Sequence, residues 1–379
     1  MIDLNKEDAL YAGDRFIEYM NKFTTIEEYF RMKKIERINA MPATLDGYGY
    51  EEDLFSDFTM HPRDMDFDIR VIPSSSFDSM LEMTASFTYE QSPGKELKLA
   101  IVEKNTNKYV GFIKLASPLI NSKPRNDWLG QQPDMSIFNR KAIMGYIIVP
   151  AQPFGFNYLG GKLLSLICTS HEVREMVNKK YPEMDTCLFE TTSLYGSIKG
   201  TSQYDGMKPF LRHSGDTESK FMLTLSDDFY ESMYKWFMKR NNDIPLLPNL
   251  TAEGKPLSSR KLKIQTMMFA DTKRALKNHH PAKHEQFAEA IKASTNITTQ
   301  KRFYMSTYGF ENSREVILGQ TDKLIPNKEN YDKHYMSNIT EWWKRKASSR
   351  FDTLTQEGRI RTDMEIWNAD TMDKIDIIR

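Results

Sequence analysis

Residues 150–170 read PAQPFGFNYLGGKLLSLICTS, and how this stretch is read decides the fold. Immediately before it, AIMGYIIV (142–149) is apolar with little alternation, the pattern of a strand buried on both faces. Immediately after it, apolar residues continue at helical spacing and predict a helix from about Tyr158 to Lys180. Between the two runs lie Pro150, Pro153, Gly155, Gly160 and Gly161. Such a turn admits two readings. The first amides of a helix lack intrahelical partners and carry partial positive charge. Glycines, with no Cβ, would let an anion approach them, and Lys162 would add a cation in the same turn. Alternatively, Gly160 and Gly161 permit close packing of helix on sheet and bind nothing, and Asn157 is a plain N-cap.

Working outward, LKLAIVEK and KYVGFIKLA are joined by NTN, which predicts a tight antiparallel hairpin. SPLINSKPRNDWLGQQPD (117–134) reads as a polar loop between that hairpin and the buried strand. TASFTYEQ (84–91), EMDTCLFETTSLYG (183–196) and KFMLTLSD (220–227) read as further strands. Residues 4–40 look helical in two segments. Thr24 or Thr25 with Glu27 or Glu28 is set for a capping box at the second. Residues 41–80 read as a long connection with short elements. From Asp228 onward Met, Leu and Phe recur at three- and four-residue spacing, the pattern of helices. The expected organisation is a mostly helical, acidic region at 1–95, an α/β (α+β) core at 96–227 with a mixed central sheet flanked by helices, and a helical, partly basic region at 228–379.

Composition narrows the function classes. The chain has 379 residues, 40% of them hydrophobic, and equal numbers of acidic and basic side chains. Overall charge therefore selects no partner. No run approaches the roughly 18 apolar residues of a membrane span. MIDLNKEDALYAGDRF carries charges where a signal peptide needs an apolar stretch, so a cytoplasmic location is expected. Cys168 and Cys187 sit in apolar runs far from any zinc spacing and read as buried thiols. The histidines are dispersed apart from NHHPAKH (278–284), which disfavours a metal centre. No G-x-S-x-G turn is present for a serine nucleophile. The zero net charge hides an asymmetry. Residues 1–95 carry about nineteen Asp and Glu against ten Lys and Arg, whereas at 229–302 the basic residues outnumber the acidic more than two to one. That basic region either holds a phosphate backbone or faces the acidic N-terminal part.

The order hairpin, loop, buried strand, glycine turn, helix, strand, short helix, strand resembles the GCN5-related N-acetyltransferase (GNAT) family. In that family the strand bearing the cofactor ends in a bulge, followed by a Gln/Arg-x-x-Gly-x-Gly/Ala loop whose amides hold the pyrophosphate of acetyl-CoA. Gln152 and Gly155 match the first two landmarks, while Asn157 stands where the family has Gly or Ala. The resemblance implies acetyl-CoA or another acyl-CoA held by Val149, Gln152, Gly155, Asn157, Gly160, Gly161 and Lys162. It also implies a tyrosine that protonates the leaving thiolate, with Tyr204 and Tyr195 as candidates and Ser193 at the same strand end. A tyrosine pKa of about 10 suits that exchange. The alternative for either tyrosine is a packed ring whose hydroxyl meets backbone or water.

In the 117–130 loop, Arg125 could grip a phosphate and Trp128 stack on a base, with Asp127 beside them; an Arg–Asp surface pair with an anchoring Trp is the alternative. Lys261, Lys263, Lys273, Arg274 and Lys277 are candidate contacts to DNA or RNA. Trp342 and Trp343 beside Lys344, Arg345 and Lys346 mix aromatic and basic groups, although at helical spacing one Trp should face a core. The segments VGFI, RNDWLG, GYIIVP, FGFNYLGGKLL, SQYDGMK and WWKRKASSRFDTLTQEGRI together resemble a family of phage and mobile-element proteins that includes DruA of the Druantia anti-phage system. The layout is more loosely similar to the phage Mu Mom protein, a GNAT-type enzyme that modifies adenine in DNA. Three functions follow as expectations: a GNAT-like transferase acting on nucleic acid or a nucleotide base, a non-catalytic nucleic-acid-binding component of a phage or anti-phage system, or an acyltransferase for a protein or small molecule.

Overall fold

The NTN hairpin forms as expected, and the rest of a seven-stranded sheet grows from it. The computed structural model describes residues 2–44, 51–88, 94–193, 199–217, 223–248, 260–297 and 301–378. The chain divides into two units, one of residues 38–86, 94–219 and 300–379, the other of 1–37, 87–93 and 220–299. This division crosses the three segments expected from sequence, because the N-terminal helices group with the basic helices of the third quarter.

The first unit holds strands β1 (Phe67–Val71), β2 (Glu96–Glu103), β3 (Lys108–Ala116), β4 (Ala142–Pro150), β5 (Leu188–Ser193), β6 (Arg212–Asp216) and β7 (Arg302–Ser306). Their order is β1-β2-β3-β4-β5-β7-β6, and every neighbouring pair is antiparallel except β4 and β5. The mixed α/β architecture with helical terminal regions is thus present. Glu103 closes the hairpin: its buried carboxylate accepts the amides of Asn105 and Thr106 and the Thr106 hydroxyl. In β4, Lys114 pairs with Ile147 and Leu115 with Gly145, so Tyr146 bulges out and is exposed.

Helices α3 (Ser74–Thr84), α4 (Lys123–Leu129), α5 (Met135–Lys141), α6 (Phe154–Tyr158), α7 (Gly160–Cys168), α8 (His171–Lys180), α12 (Ser313–Ile317) and α13 (Met336–Gln356) belong to this unit. The helix expected over 158–180 is therefore broken into pieces. Leu159 at φ 53° ends α6, and Ser170 stops α7 and caps α8, its hydroxyl accepting the Val173 amide. The core under the sheet takes Leu97, Leu99, Ile113, Leu115, Ile143, Leu164, Phe154, Tyr158 and Trp343. Trp343 is fully buried and donates its indole N–H to the Tyr158 carbonyl at 2.9 Å, whereas Trp342 is half-buried. Cys168 and Cys187 are buried free thiols.

The second unit is helical: α1 (Lys6–Met20), most of α2 (Ile26–Thr44), α9 (Asp227–Arg240), α10 (Lys261–His279) and α11 (Pro281–Asn296). The capping box at α2 is formed by Thr25 and Glu28, the Glu28 carboxylate also accepting from Thr24. Phe16 of α1 meets the rings of Phe229, Phe269 and Phe287. Asp8 pairs with Arg240 and Asp14 with Lys283, so acidic α1 lies on the basic helices.

Two expected strands are corrected. Residues 223–226 carry no ladder. Gln265 accepts from the Leu225 amide and donates to the Leu223 carbonyl, and the Tyr29 hydroxyl holds Thr224, so side chains take the place of a strand partner. Residues 85–88 of TASFTYEQ follow α3 without strand pairing, and its last three residues lie outside the described ones. Conversely, β1 and β7 form where a connection and helices were expected, and α4 forms inside the expected polar loop.

Candidate functional site

β4 and β5 pair only from Ala142↔Leu188 to Gly145↔Thr191. Beyond that point β4 continues along β3 to Pro150, and β5 continues along β7 to Ser193. The two parallel strands therefore part, several residues earlier than Pro150. Gly145 is required at the last shared rung, since a Cβ there would lie 2.7 Å from the Phe189 ring.

Side chains of the 202–205 turn occupy this parting. Gln203 reaches across to the Ile148 carbonyl at 3.5 Å. Tyr204 is 6% exposed, with the side chains of Gln203 and Thr191 beside its hydroxyl. Burial pushes that phenol up to about 12. Asp205 is the hub below. It accepts from the Tyr304 hydroxyl at 2.8 Å, from Arg302 at 2.8 Å and from the Ser202 amide at 2.9 Å. Partial burial acts to raise its carboxyl, but these donors outweigh it and hold the group below the usual carboxylate range. Lys162 donates to the carbonyls of Gln203 and Asp205, and burial lowers its ammonium.

The glycines of the turn make room for the chain's own side chains. A Cβ on Gly155 would fall 2.4 Å from the Gln152 carboxamide, one on Gly160 2.8 Å from the Phe154 ring, and one on Gly161 2.2 Å from the Gln203 oxygen. The amides of Gly155, Phe156 and Asn157 are also engaged. Gln152 accepts from Phe156, the Ala151 carbonyl from Gly155, and the Pro153 carbonyl from Asn157. Val149 pairs with Phe112 within the sheet. Asn157 is no N-cap: fully buried, it exchanges two hydrogen bonds with the backbone of Arg361.

The remaining candidates scatter. Ser193 ends β5 opposite Arg302, and Tyr195 lies outside the described residues. Arg125 is inside the core, not on a loop surface. It and Glu190 are both 0% exposed and pair at 3.1 Å, with the guanidinium also donating to the Leu119 and Ile120 carbonyls over the Phe138 ring. Its charge is neutralised where no phosphate reaches. Asp127 is exposed and Trp128 packs against the core, so they form neither the surface pair nor a stacking platform with Arg125. On α10, Lys261 pairs with Asp227, and Arg274 with Asp271 and the Ile2 carbonyl. Lys263, Lys273 and Lys277 are exposed. Gln203, Asp205, Arg302 and Tyr304 were not assigned roles from sequence. Only the proximity of Gln203 and Asp205 to Tyr204 in SQYDGMK offered a signal, since Arg302 and Tyr304 arrive from β7, about a hundred residues on.

Among the described residues no group of three or more His, Cys, Asp or Glu is placed to hold a metal ion, and no helix is long and apolar enough to cross a membrane. No curated protein and no solved structure matches the chain. The family model of the Druantia protein DruA does match it, over residues 67–242, a span that runs from β1 through α9 and takes in the β4 turn and the 202–205 segment. Over that stretch, somewhat under half of its length, the chain is similar to the Druantia protein DruA.

Proposed function

We propose that this protein is a component of an anti-phage defence system that engages nucleic acid without transferring an acyl group. The similarity to DruA over 67–242 supports the first part. The observation that carries the second is the filled parting of β4 and β5, where Gln203 sits against Gly161 and the amides of Gly155, Phe156 and Asn157 are bonded within the chain. A cofactor phosphate would need both the space and the amides. Nucleic-acid engagement rests on cations that form no ion pair among the described residues, including exposed Lys263, Lys273 and Lys277, and its affinity should fall steeply with salt.

An acyl-transfer assay with labelled acetyl-CoA and anisotropy with labelled DNA test this directly. The expected result is salt-sensitive binding of DNA that Tyr204→Phe leaves unchanged, with no acetyl group transferred. Acyl transfer that is lost in Tyr204→Phe would refute it. The defence part is tested by deleting the gene at its native locus: phage plating efficiency should rise, and equal plating would contradict the assignment.

A second reading keeps the GNAT-like transferase, with acetyl-CoA or another acyl-CoA as donor and a nucleic-acid base, protein or small molecule as acceptor. One observation favours it: the strands do part after Gly145, and a buried, protonated Tyr204 stands in the gap. It requires Gln203 to move aside. Gln203→Ala should then create acyl transfer that the parent chain lacks.

A further inference from the structure

The turn after β4 carries a second feature, built from side chains of the C-terminal segment. Phe156 is half-buried. Its ring is contacted by two guanidiniums, Arg350 of α13 with its central carbon 4.7 Å from the ring centre and Arg361 at 3.8 Å. Arg350 is also fixed by donating Nε to the Phe156 carbonyl at 2.6 Å. Arg361 is fixed through its backbone by Asn157. Arg359 lies close enough to act on Arg350: partial burial first, then the charges of Arg359 and Arg361, lower the Arg350 guanidinium. One turn before Arg350 on α13 is Lys346, whose charge acts on Lys162 in the same way.

Five cations thus gather round one turn. Glu357 answers Arg359 at 2.6 Å and Glu365 answers Arg361 at 3.5 Å. Lys346 and Arg350 form no ion pair among the described residues, while the charge of Asp205 acts on Lys162. Lys162 and Arg350 are half-buried while Lys346, Arg359 and Arg361 are exposed, and holding like charges this close is unfavourable unless an anion neutralises them. Guanidiniums whose planes are already set by an aromatic ring and by backbone bonds lose little freedom on gripping a tetrahedral anion, and their forked donors suit phosphate oxygens.

We propose that Arg350 and Arg361, arrayed on Phe156 with Arg359, Lys346 and Lys162 flanking, form a binding site for a phosphate-bearing ligand. The turn's amides take no part. The shared chemistry is a phosphodiester or pyrophosphate group. Its source is either a polynucleotide backbone, which would extend the function proposed above, or a free nucleotide diphosphate, which does not depend on it.

The test uses the full chain with two probes, a labelled single-stranded DNA oligonucleotide followed by anisotropy and inorganic pyrophosphate followed by calorimetry. Arg350→Gln/Arg361→Gln should weaken binding at least about tenfold and reduce the salt slope by about one per lost phosphate contact. Arg359→Gln, at an exposed position that packing does not need, should weaken it less and guards against a folding artefact. Lys263→Gln/Lys273→Gln on α10, which take no part in this site, should leave its pyrophosphate affinity unchanged. DNA binding that ignores the arginine variants overturns the site while leaving the nucleic-acid reading intact. Pyrophosphate binding that needs the arginines, without DNA binding, upholds the site and removes the nucleic-acid reading. No binding of either probe overturns both.

Discussion

Asn157 and Arg361 are 204 residues apart in the chain and exchange two hydrogen bonds. The Asn157 amide donates to the Arg361 carbonyl at 2.7 Å, and its oxygen accepts from the Arg361 amide at 3.1 Å. A carboxamide reading one residue's backbone in this way ties the C-terminal segment to the turn after β4. The residue that breaks the GNAT-like landmark is therefore the one that anchors this strap. Gly or Ala at 157 could not make either bond.

Asn157→Ala should destabilise the unit that holds the sheet by about 2 kcal/mol, since both bonds are lost and the backbone groups of Arg361 are left to find water. Urea unfolding measures this. Limited proteolysis should show new cleavage near residues 359–365. An unchanged midpoint and cleavage pattern would mean the strap is held by something else.

Gly161 and Gln203 should be energetically coupled. Alanine at 161 gains up to about 1 kcal/mol of helix propensity in α7 but drives into Gln203. In a Gln203→Ala background the gain should reappear. A double-mutant cycle should return a coupling of about 1 kcal/mol, and strict additivity would show that Gln203 does not occupy the parting.

Arg125→Met leaves the Glu190 carboxylate buried without its partner and should cost about 3–5 kcal/mol. Adding Glu190→Leu should restore much of the loss, because the pair then becomes an apolar contact. Equal instability of single and double variants would point to a role for Arg125 beyond charge pairing.

His334 is buried, with Nδ1 donating to the Thr169 carbonyl at 2.7 Å, and burial lowers it to about 4. The unfolded chain takes up this proton below about 6.5 while the folded one refuses it. Its contribution is thus complete above pH 6.5 and is lost as pH falls towards 4, on the order of 3 kcal/mol in all. His171, also lowered by burial, acts in the same direction. Denaturant midpoints across that range should fall more steeply for the parent chain than for His334→Asn, which keeps a donor for Thr169; parallel profiles would remove His334 as the cause.

Local pattern made much of this molecule legible. NTN between two alternating runs specifies the β2–β3 hairpin because the turn satisfies its own amides through Glu103. The unbroken apolar run at 142–149 specifies a strand covered on both faces, and Thr25 with Glu28 specifies where α2 starts. The helices beyond 228 follow from spacing alone. Each of these rests on residues within a few positions of one another.

What the tertiary structure decided depends on residues that are distant in the chain. The glycines of PAQPFGFNYLGGKLL announce close approach, but only the fold reveals that Gln203, Phe154 and Gln152 do the approaching. Arg125 looked like a surface cation until Glu190, 65 positions on, met it in the core. β1 and β7 are short strands whose apolar pattern is too brief to mark them, and they exist because sheet neighbours satisfy their backbones. Arg350 and Arg361 converge on Phe156 because α13 and the segment after it pass the turn, a meeting that no spacing in the sequence encodes.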